Sequence, residues 1–328
     1  MTKKPKVTII MPSLNVKTYI RQCMESVINQ TLKEIEIICV DAGSDDGTLE
    51  ILQEYAAKDS RIRLIHSEKK SYGYQVNIGF DEAKADYIGI VETDDYIKSD
   101  MFDRLYSAAA NAGFPDVVRC GFFSIWPEND GDRITITLRL KLKTGTVFQL
   151  PEHYEMVEGH PSIWAGIYKK EFLFHNSIRM MEVPGGGWVD NPFLFRTMCE
   201  AERICWVNRP LYYYRRSNPK AKHTNQNASS YLKNCSIPMA RINDIKDYLD
   251  KYYPDNRELE ERLFARTLDY RYSVLKSPYH TRDDLRSIHL TVKRFHPDVI
   301  RQGLLERQYQ QGKKTISSFL KGELLKSQ

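Results

Sequence analysis

Glu92, Asp94 and Asp95 crowd into one short stretch, with only Thr93 interrupting them. They follow an apolar run, Tyr87, Ile88, Ile90 and Val91, that has the character of a buried strand. A buried strand that ends in acids sets them at the carboxyl edge of a sheet, where open α/β sheets bind ligands. Carboxylates this close repel unless a cation lies among them or water screens them. Hard oxygen ligands at this density suit Mg²⁺ or Mn²⁺. The plain alternative is an acidic turn that caps a helix starting near Asp100, and this stretch alone does not choose. A further acid, Asp190, follows Pro184-Gly185-Gly186-Gly187 and Trp188. On residue types alone Asp190 reads as the N-cap of a helix from Asn191 to Cys199, and Trp188 as core packing.

Strands and helices must alternate to position these acids. Val7 to Met11 reads as a first strand and Ile35 to Val40 as a second, ending at Asp41. Ile62 to Ile65 is a third and the acidic strand a fourth, with another at Val117 to Cys120. Between them, Ile20, Cys23, Met24, Val27 and Ile28 recur at helical spacing. So do Leu49, Leu52, Tyr55 and Ala56, then Val76, Phe80 and Ala83, and a further helix is expected from Met101 to Asn111. This alternation predicts an α/β, doubly wound, mainly parallel, Rossmann-like sheet. Such sheets commonly bind nucleotides, yet there is no G-x-G-x-x-G after the first strand and no Walker lysine motif. A nucleotide here would need Asp41 for its base or ribose and a metal at Asp94 and Asp95 for its phosphates.

Four pieces in order, VTIIMPSLNVKTYIRQCMESVINQT, IEIICVDAGSDDGT, YGYQVNIGF and GIVETDDYI, resemble the family 2 glycosyltransferases of the GT-A fold. The resemblance implies an inverting, metal-dependent transferase with a nucleotide-sugar donor, by family habit a UDP-sugar. It implies a donor site at Pro12, Ser13, Asn15, Asp41, Asn77, Glu92 and Asp94, with Mn²⁺ or Mg²⁺ held by Asp94, Asp95 and His223. Glu92 stands where the family usually has Asp. Gly187-Trp188-Val189-Asp190-Asn191-Pro192-Phe193 resembles the acidic acceptor-side motif, with Val189 in place of its Glu. That makes Asp190 the catalytic base and Trp188 an acceptor contact. Arg215, Arg216 and Lys222, around a polar loop from Ser217 to Ser230, match basic residues that close over the diphosphate. The implied acceptor is a saccharide or lipid-linked saccharide, as in capsule, O-antigen or exopolysaccharide synthesis. Two rival readings are a nucleotidyltransferase, whose Gly- and Arg-rich loop PSLNVKTYI lacks, and a non-catalytic sugar-binding protein on a transferase fold.

The expected organisation is a GT-A catalytic domain over 1–216, divided into a nucleotide-sugar half (1–120) and an acceptor half (121–216). A mobile basic loop (217–230) and a helical C-terminal region (231–328) follow. Arg133 to Val147 alternates, which suits a half-exposed hairpin or edge strand that lines the acceptor groove or pairs with a second subunit in a homodimer. In the C-terminal region, Leu259, Leu263, Phe264 and Leu268 form one stripe, and Leu285, Ile288, Val292 and Phe295 another. Ile316, Phe319, Leu320 and Leu324 share a face of a basic helix, which either lies on an anionic membrane or docks on protein, the commoner arrangement. A net charge of +5 is too weak to argue for nucleic acid. The N-terminal apolar run is too short for a signal peptide, and no run is long enough for a membrane span. Six scattered cysteines without C-x-x-C spacing read as free thiols. A cytoplasmic protein, at most peripheral at the inner face of the membrane, is expected.

Overall fold

β1 (Val7–Ser13) and β2 (Ile35–Asp41) are buried at every position, as strands covered on both faces must be. Even Glu36 is buried, and its carboxylate accepts from the Thr8 hydroxyl at 2.8 Å and the Lys84 amide at 2.9 Å. The structure, a computed structural model, describes residues 4–128, 131–216, 236–275 and 280–311. The chain divides into two compact units, Met1–Tyr231 and Leu232–Gln328.

In the first unit the strands continue with β3 (Ile62–His66), β4 (Tyr87–Ile90), β5 (Tyr96–Ile97), β6 (Val117–Glu128) and β7 (Gly131–Thr137). β8 (Thr146–Phe148), β9 (Gly166–Lys169) and β10 (Ile204–Arg215) complete the sheet. Its order is β3-β2-β1-β4-β9-β6-β10-β5, with β7 on β6 and β8 on β10. The ladders β3-β2-β1-β4 and β6-β10 are parallel. β9 enters antiparallel between β4 and β6, so the sheet is mixed around a mostly parallel core. The helices are α1 (Lys17–Ile28), α2 (Thr48–Lys58), α3 (Tyr72–Glu82), α4 (Met101–Asn111), α5 (Lys170–His175) and α6 (Asp190–Glu200). Buried Ile20, Cys23, Met24 and Val27 on α1 confirm its apolar stripe.

Two loops at the carboxyl ends of β1 and β2 are stitched together. The Asn15 side-chain amide donates to Asp45 Oδ1 and accepts from the Asp45 backbone amide, each at 2.9 Å. The Val16 amide donates to the Thr48 hydroxyl at 2.9 Å. On the other side, the strand-like segment before α6 lies against the start of α3. The Tyr72 amide donates to the Gly185 carbonyl at 2.9 Å, and the Gly185 amide to the Lys70 carbonyl at 2.8 Å. A Cβ on Gly73 would come within 2.0 Å of the Met181 carbonyl oxygen, so only glycine admits this approach.

The second unit contains α7 (Ser236–Tyr252), α8 (Arg257–Leu275), α9 (Arg282–Val292) and α10 (Pro297–Gln311). Leu259, Leu263, Phe264 and Leu268 are buried, as are Ile288 and Phe295, and the Phe264 and Phe295 rings meet at 5.0 Å. Thr281 and Asp284 form a reciprocal capping box at the start of α9. No helix among the described residues is long and apolar enough to cross a membrane. The stripe Ile316, Phe319, Leu320 and Leu324 lies outside the described residues.

Candidate active site

The acidic stretch leaves β4 and turns at once: the Asp95 amide donates to the Glu92 carbonyl at 3.0 Å. Thr93, buried, donates its hydroxyl to the Pro12 carbonyl at 2.8 Å, which ties the turn to the end of β1. Tyr212 on β10 reaches the same turn from beneath. Its hydroxyl donates to Asp95 Oδ2 at 3.0 Å and accepts from the Glu92 amide at 3.1 Å, while its ring stacks on Trp164 at 4.0 Å. The Arg215 amide donates to Asp95 Oδ1 at 2.7 Å. Both oxygens of Asp95 are thus taken by protein, and Asp95 is buried at 1% exposure.

Glu92, Asp94 and Asp95 each offer an oxygen within 4.8 Å of the others. Burial, then the charges of Asp94 and Asp190, push the Glu92 carboxyl up to about 8. Burial and the charges of Asp94 and Glu92 raise Asp95 too, against the hydrogen bonds from Arg215 and Tyr212. An all-oxygen cluster of three acids, two of them pushed toward their neutral forms, is what a hard divalent cation would relieve, so these residues fit one. Without a cation Glu92 holds its proton up to about 8, and a cation favours the carboxylate. Binding of Mn²⁺ at neutral pH is therefore expected to release protons, and affinity to rise with pH until about 8. Calorimetry with Mn²⁺ alone, in buffers of different ionisation enthalpy, measures this; identical heats in every buffer would refute it.

A cavity of about 430 Å³ opens above the turn. Pro12, Ser13, Asn15, Glu92, Asp94, Trp188 and Asp190 all line it, so half of the anticipated residues converge there. Tyr72, Gln75 and Lys70 line it as well and were not singled out from sequence. The Tyr72 hydroxyl donates to Glu92 Oε1 at 3.3 Å, and Gln75 donates to the Ser13 and Val40 carbonyls. Lys70 is the one cationic side chain among the described lining residues.

Other anticipated residues lie elsewhere. Asp41 is fully buried, and its carboxylate takes the Gly43 and Ser44 amides at 2.9 Å and the Ser44 hydroxyl at 2.5 Å. It shapes the β2–α2 turn and does not line the cavity. Asn77 is also buried, its amide exchanging bonds with both backbone groups of Met180 and donating to Glu182 at 3.0 Å. It holds the loop before α6 in place. Arg215 donates to the Asp94 carbonyl at 2.6 Å and to Gln22, with Tyr19 and Tyr96 against its guanidinium. Arg216 stacks over Trp126 and Tyr214. In this arrangement both arginines serve packing. Lys222, His223 and the loop from Ser217 to Ser230 lie outside the described residues.

Gly187 and Trp188, also in the lining, both have positive φ, 43° and 59°. That conformation is costly for a bulky aromatic and is held here by the glycine-rich loop before it. Val189 is buried and occupies the cap position of α6, which has no side-chain cap bond. Asp190 is thus the first residue of the helix and not its cap, which removes the capping reading. Its Oδ1 accepts from the Asn191 amide group at 3.0 Å.

Residues 8–165 match the model for Glycosyl transferase family 2. The chain is 35% identical over 229 residues to the uncharacterized glycosyltransferase EpsJ of Bacillus subtilis, covering 66% of this chain and 62% of that protein. Thus it spans less than two thirds of that relative's length. Residues 1–349 of S. aureus TarS in complex with UDP share the fold at a TM-score of 0.58 and 17% identity, covering 95% of this chain and 93% of theirs. The mannosyltransferase PcManGT of Pyrobaculum calidifontis, in complex with GDP-Man and Mn²⁺, aligns at 0.53 and 14% identity, covering 99% and 81%. The expected α/β, GT-A-type sheet is therefore the fold of the chain.

Proposed function

The chain carries a glycosyl transferase family 2 domain, and from that premise we propose that it moves a sugar from a nucleotide-sugar donor to a saccharide or lipid-linked saccharide acceptor, with inversion. The observation that carries this reading is one cavity lined both by Glu92 and Asp94 of the acid cluster and by Asp190. A single displacement needs both a cation site for the leaving diphosphate and a base for the acceptor hydroxyl that attacks from the opposite face. Glu92 and Asp94, the cluster members that line the cavity, would hold the divalent cation, supported by buried Asp95. The cation when bound supplies positive charge to offset the departing diphosphate. Lys70 adds a second positive charge at the cavity wall. Asp190 takes the proton from the acceptor hydroxyl as that oxygen attacks the anomeric carbon. Trp188 offers its ring to the acceptor sugar. The UDP bound by TarS and the Mn²⁺ bound by PcManGT support a UDP-sugar and a divalent cation here.

Hydrolysis assayed across a panel of nucleotide sugars, with and without Mn²⁺, tests the reading. Release of one nucleoside diphosphate, dependent on metal, is the expected result. No turnover of any nucleotide sugar, with nucleotide binding absent by calorimetry, would reject it.

A further inference from the structure

The acid cluster and the loop that carries Trp188 and Asp190 meet at one residue, Tyr72. Its side chain belongs with the cluster. The Tyr72 hydroxyl donates to Glu92 Oε1 at 3.3 Å, and this is the only hydrogen bond that the Glu92 carboxylate accepts among the described residues. Asp95, by contrast, is held from two sides, by the Tyr212 hydroxyl and the Arg215 amide. The direction in which Glu92 faces the cavity therefore depends on Tyr72.

The backbone of Tyr72 belongs with the loop. Its amide donates to the Gly185 carbonyl at 2.9 Å, the Gly185 amide donates to the Lys70 carbonyl at 2.8 Å, and Ser71 and Gly185 form a parallel bridge. From this anchor the chain runs through Gly186 and Gly187 to Trp188 and Asp190. α3, which Tyr72 begins, is itself firmly placed. Gln75 donates to the Ser13 and Val40 carbonyls at 2.9 and 2.7 Å, and the Asn77 side chain bonds both backbone groups of Met180. Tyr72 thus joins two parts of the cavity through hydrogen bonds at both of its ends, with a fixed helix behind it.

We infer that Tyr72 is a positioning residue that couples the cation site to the acceptor-side loop. A cation that fixes Glu92 also fixes the Tyr72 side chain, and through its amide the anchor at Gly185. The coupling is reciprocal, so an ordered loop raises cation affinity by the same factor. The inference rests on the reading of Glu92 as a cation ligand.

Tyr72→Phe removes the hydroxyl and keeps the ring, while Tyr72→Leu removes both. Two measurements on the full chain, without nucleotide or acceptor, read the effect. Mn²⁺ affinity, followed by electron paramagnetic resonance, should fall about 10- to 100-fold in Tyr72→Phe, the range for groups that orient metal ligands. Hydrogen exchange over residues 183–189 should slow in the wild type on saturation with Mn²⁺. In Tyr72→Phe, saturated at its own higher concentration, it should not change. Circular dichroism checks that both variants are folded. A folded Tyr72→Phe that binds Mn²⁺ within about twofold of wild type would overturn the proposal. A loss confined to Tyr72→Leu would do so as well, because it would make the ring a packing element. So would exchange that slows equally in the wild type and Tyr72→Phe, or in neither. These outcomes reject the coupling alone. A wild type that binds no Mn²⁺ would reject the cation site of the proposed function, and the coupling with it.

Discussion

Asp190→Asn is expected to lower glycosyl transfer by roughly 10² to 10⁴, the usual span of general acid–base catalysis, with donor affinity within a few-fold of wild type. The substitution keeps the size of the side chain and removes its basicity. A structural role would respond differently. Val189 holds the cap position of α6, so Asp190 contributes at most its charge to the first turn of the helix. Losing that charge costs roughly 0.3–1 kcal/mol of stability and nothing in chemistry. Initial-rate measurements, beside nucleotide titration and thermal unfolding of the same variant, separate the outcomes. A rate within a few-fold of wild type would remove Asp190 as the base. The acids next in line from sequence, Glu182 and Glu158, are poor replacements. Neither lines the cavity, and Glu182 is engaged with Asn77 and Lys69.

How far the site was legible depends on what each residue does. The strand–helix alternation gave β1 to β4 and their helices because buried parallel strands and amphipathic helices write their periods into the chain. β9 was not recovered as a strand between β4 and β6, since Gly166–Lys169 is short and its partners are distant in sequence. The run of acids announced a cluster, yet spacing alone does not say which of them faces the ligand. That is set by the tight turn from Glu92 to Asp95, which rotates Asp95 back toward Tyr212. Asp41 and Asn77 show the same limit. Asp41 ends β2 as the alternation predicts and Asn77 lies in α3, but local amides and the Met180 backbone have claimed their side chains. Tyr212 was hidden for the opposite reason. One tyrosine in a Tyr-rich strand carries no signal of a hydrogen bond to an acid 117 positions away.

That placement of Asp95 yields the second large expectation. Asp94→Asn should reduce metal-dependent nucleotide affinity by more than about 100-fold, because it removes a charge that borders the cavity itself. Tyr212→Phe should cost about 10- to 100-fold in Mn²⁺ affinity, the range for groups that orient metal ligands from behind. The Tyr212 hydroxyl holds Asp95 at 3.0 Å and the Glu92 amide at 3.1 Å, so its loss frees both ends of the turn without touching the cavity wall. Asp95→Asn is the discriminating third variant. Its carboxamide oxygen can still accept from the Arg215 amide and its nitrogen can donate to Tyr212, so the turn should keep its shape. If Asp95 supports the ligands, this variant should resemble Tyr212→Phe. If Asp95 ligates the ion directly, it should instead match Asp94→Asn. Mn²⁺ binding followed by electron paramagnetic resonance, without nucleotide or acceptor, reads the difference independently of turnover. Equal loss for Asp94→Asn and Asp95→Asn, with Tyr212→Phe unchanged, would return Asp95 to the metal and reduce Tyr212 to core packing.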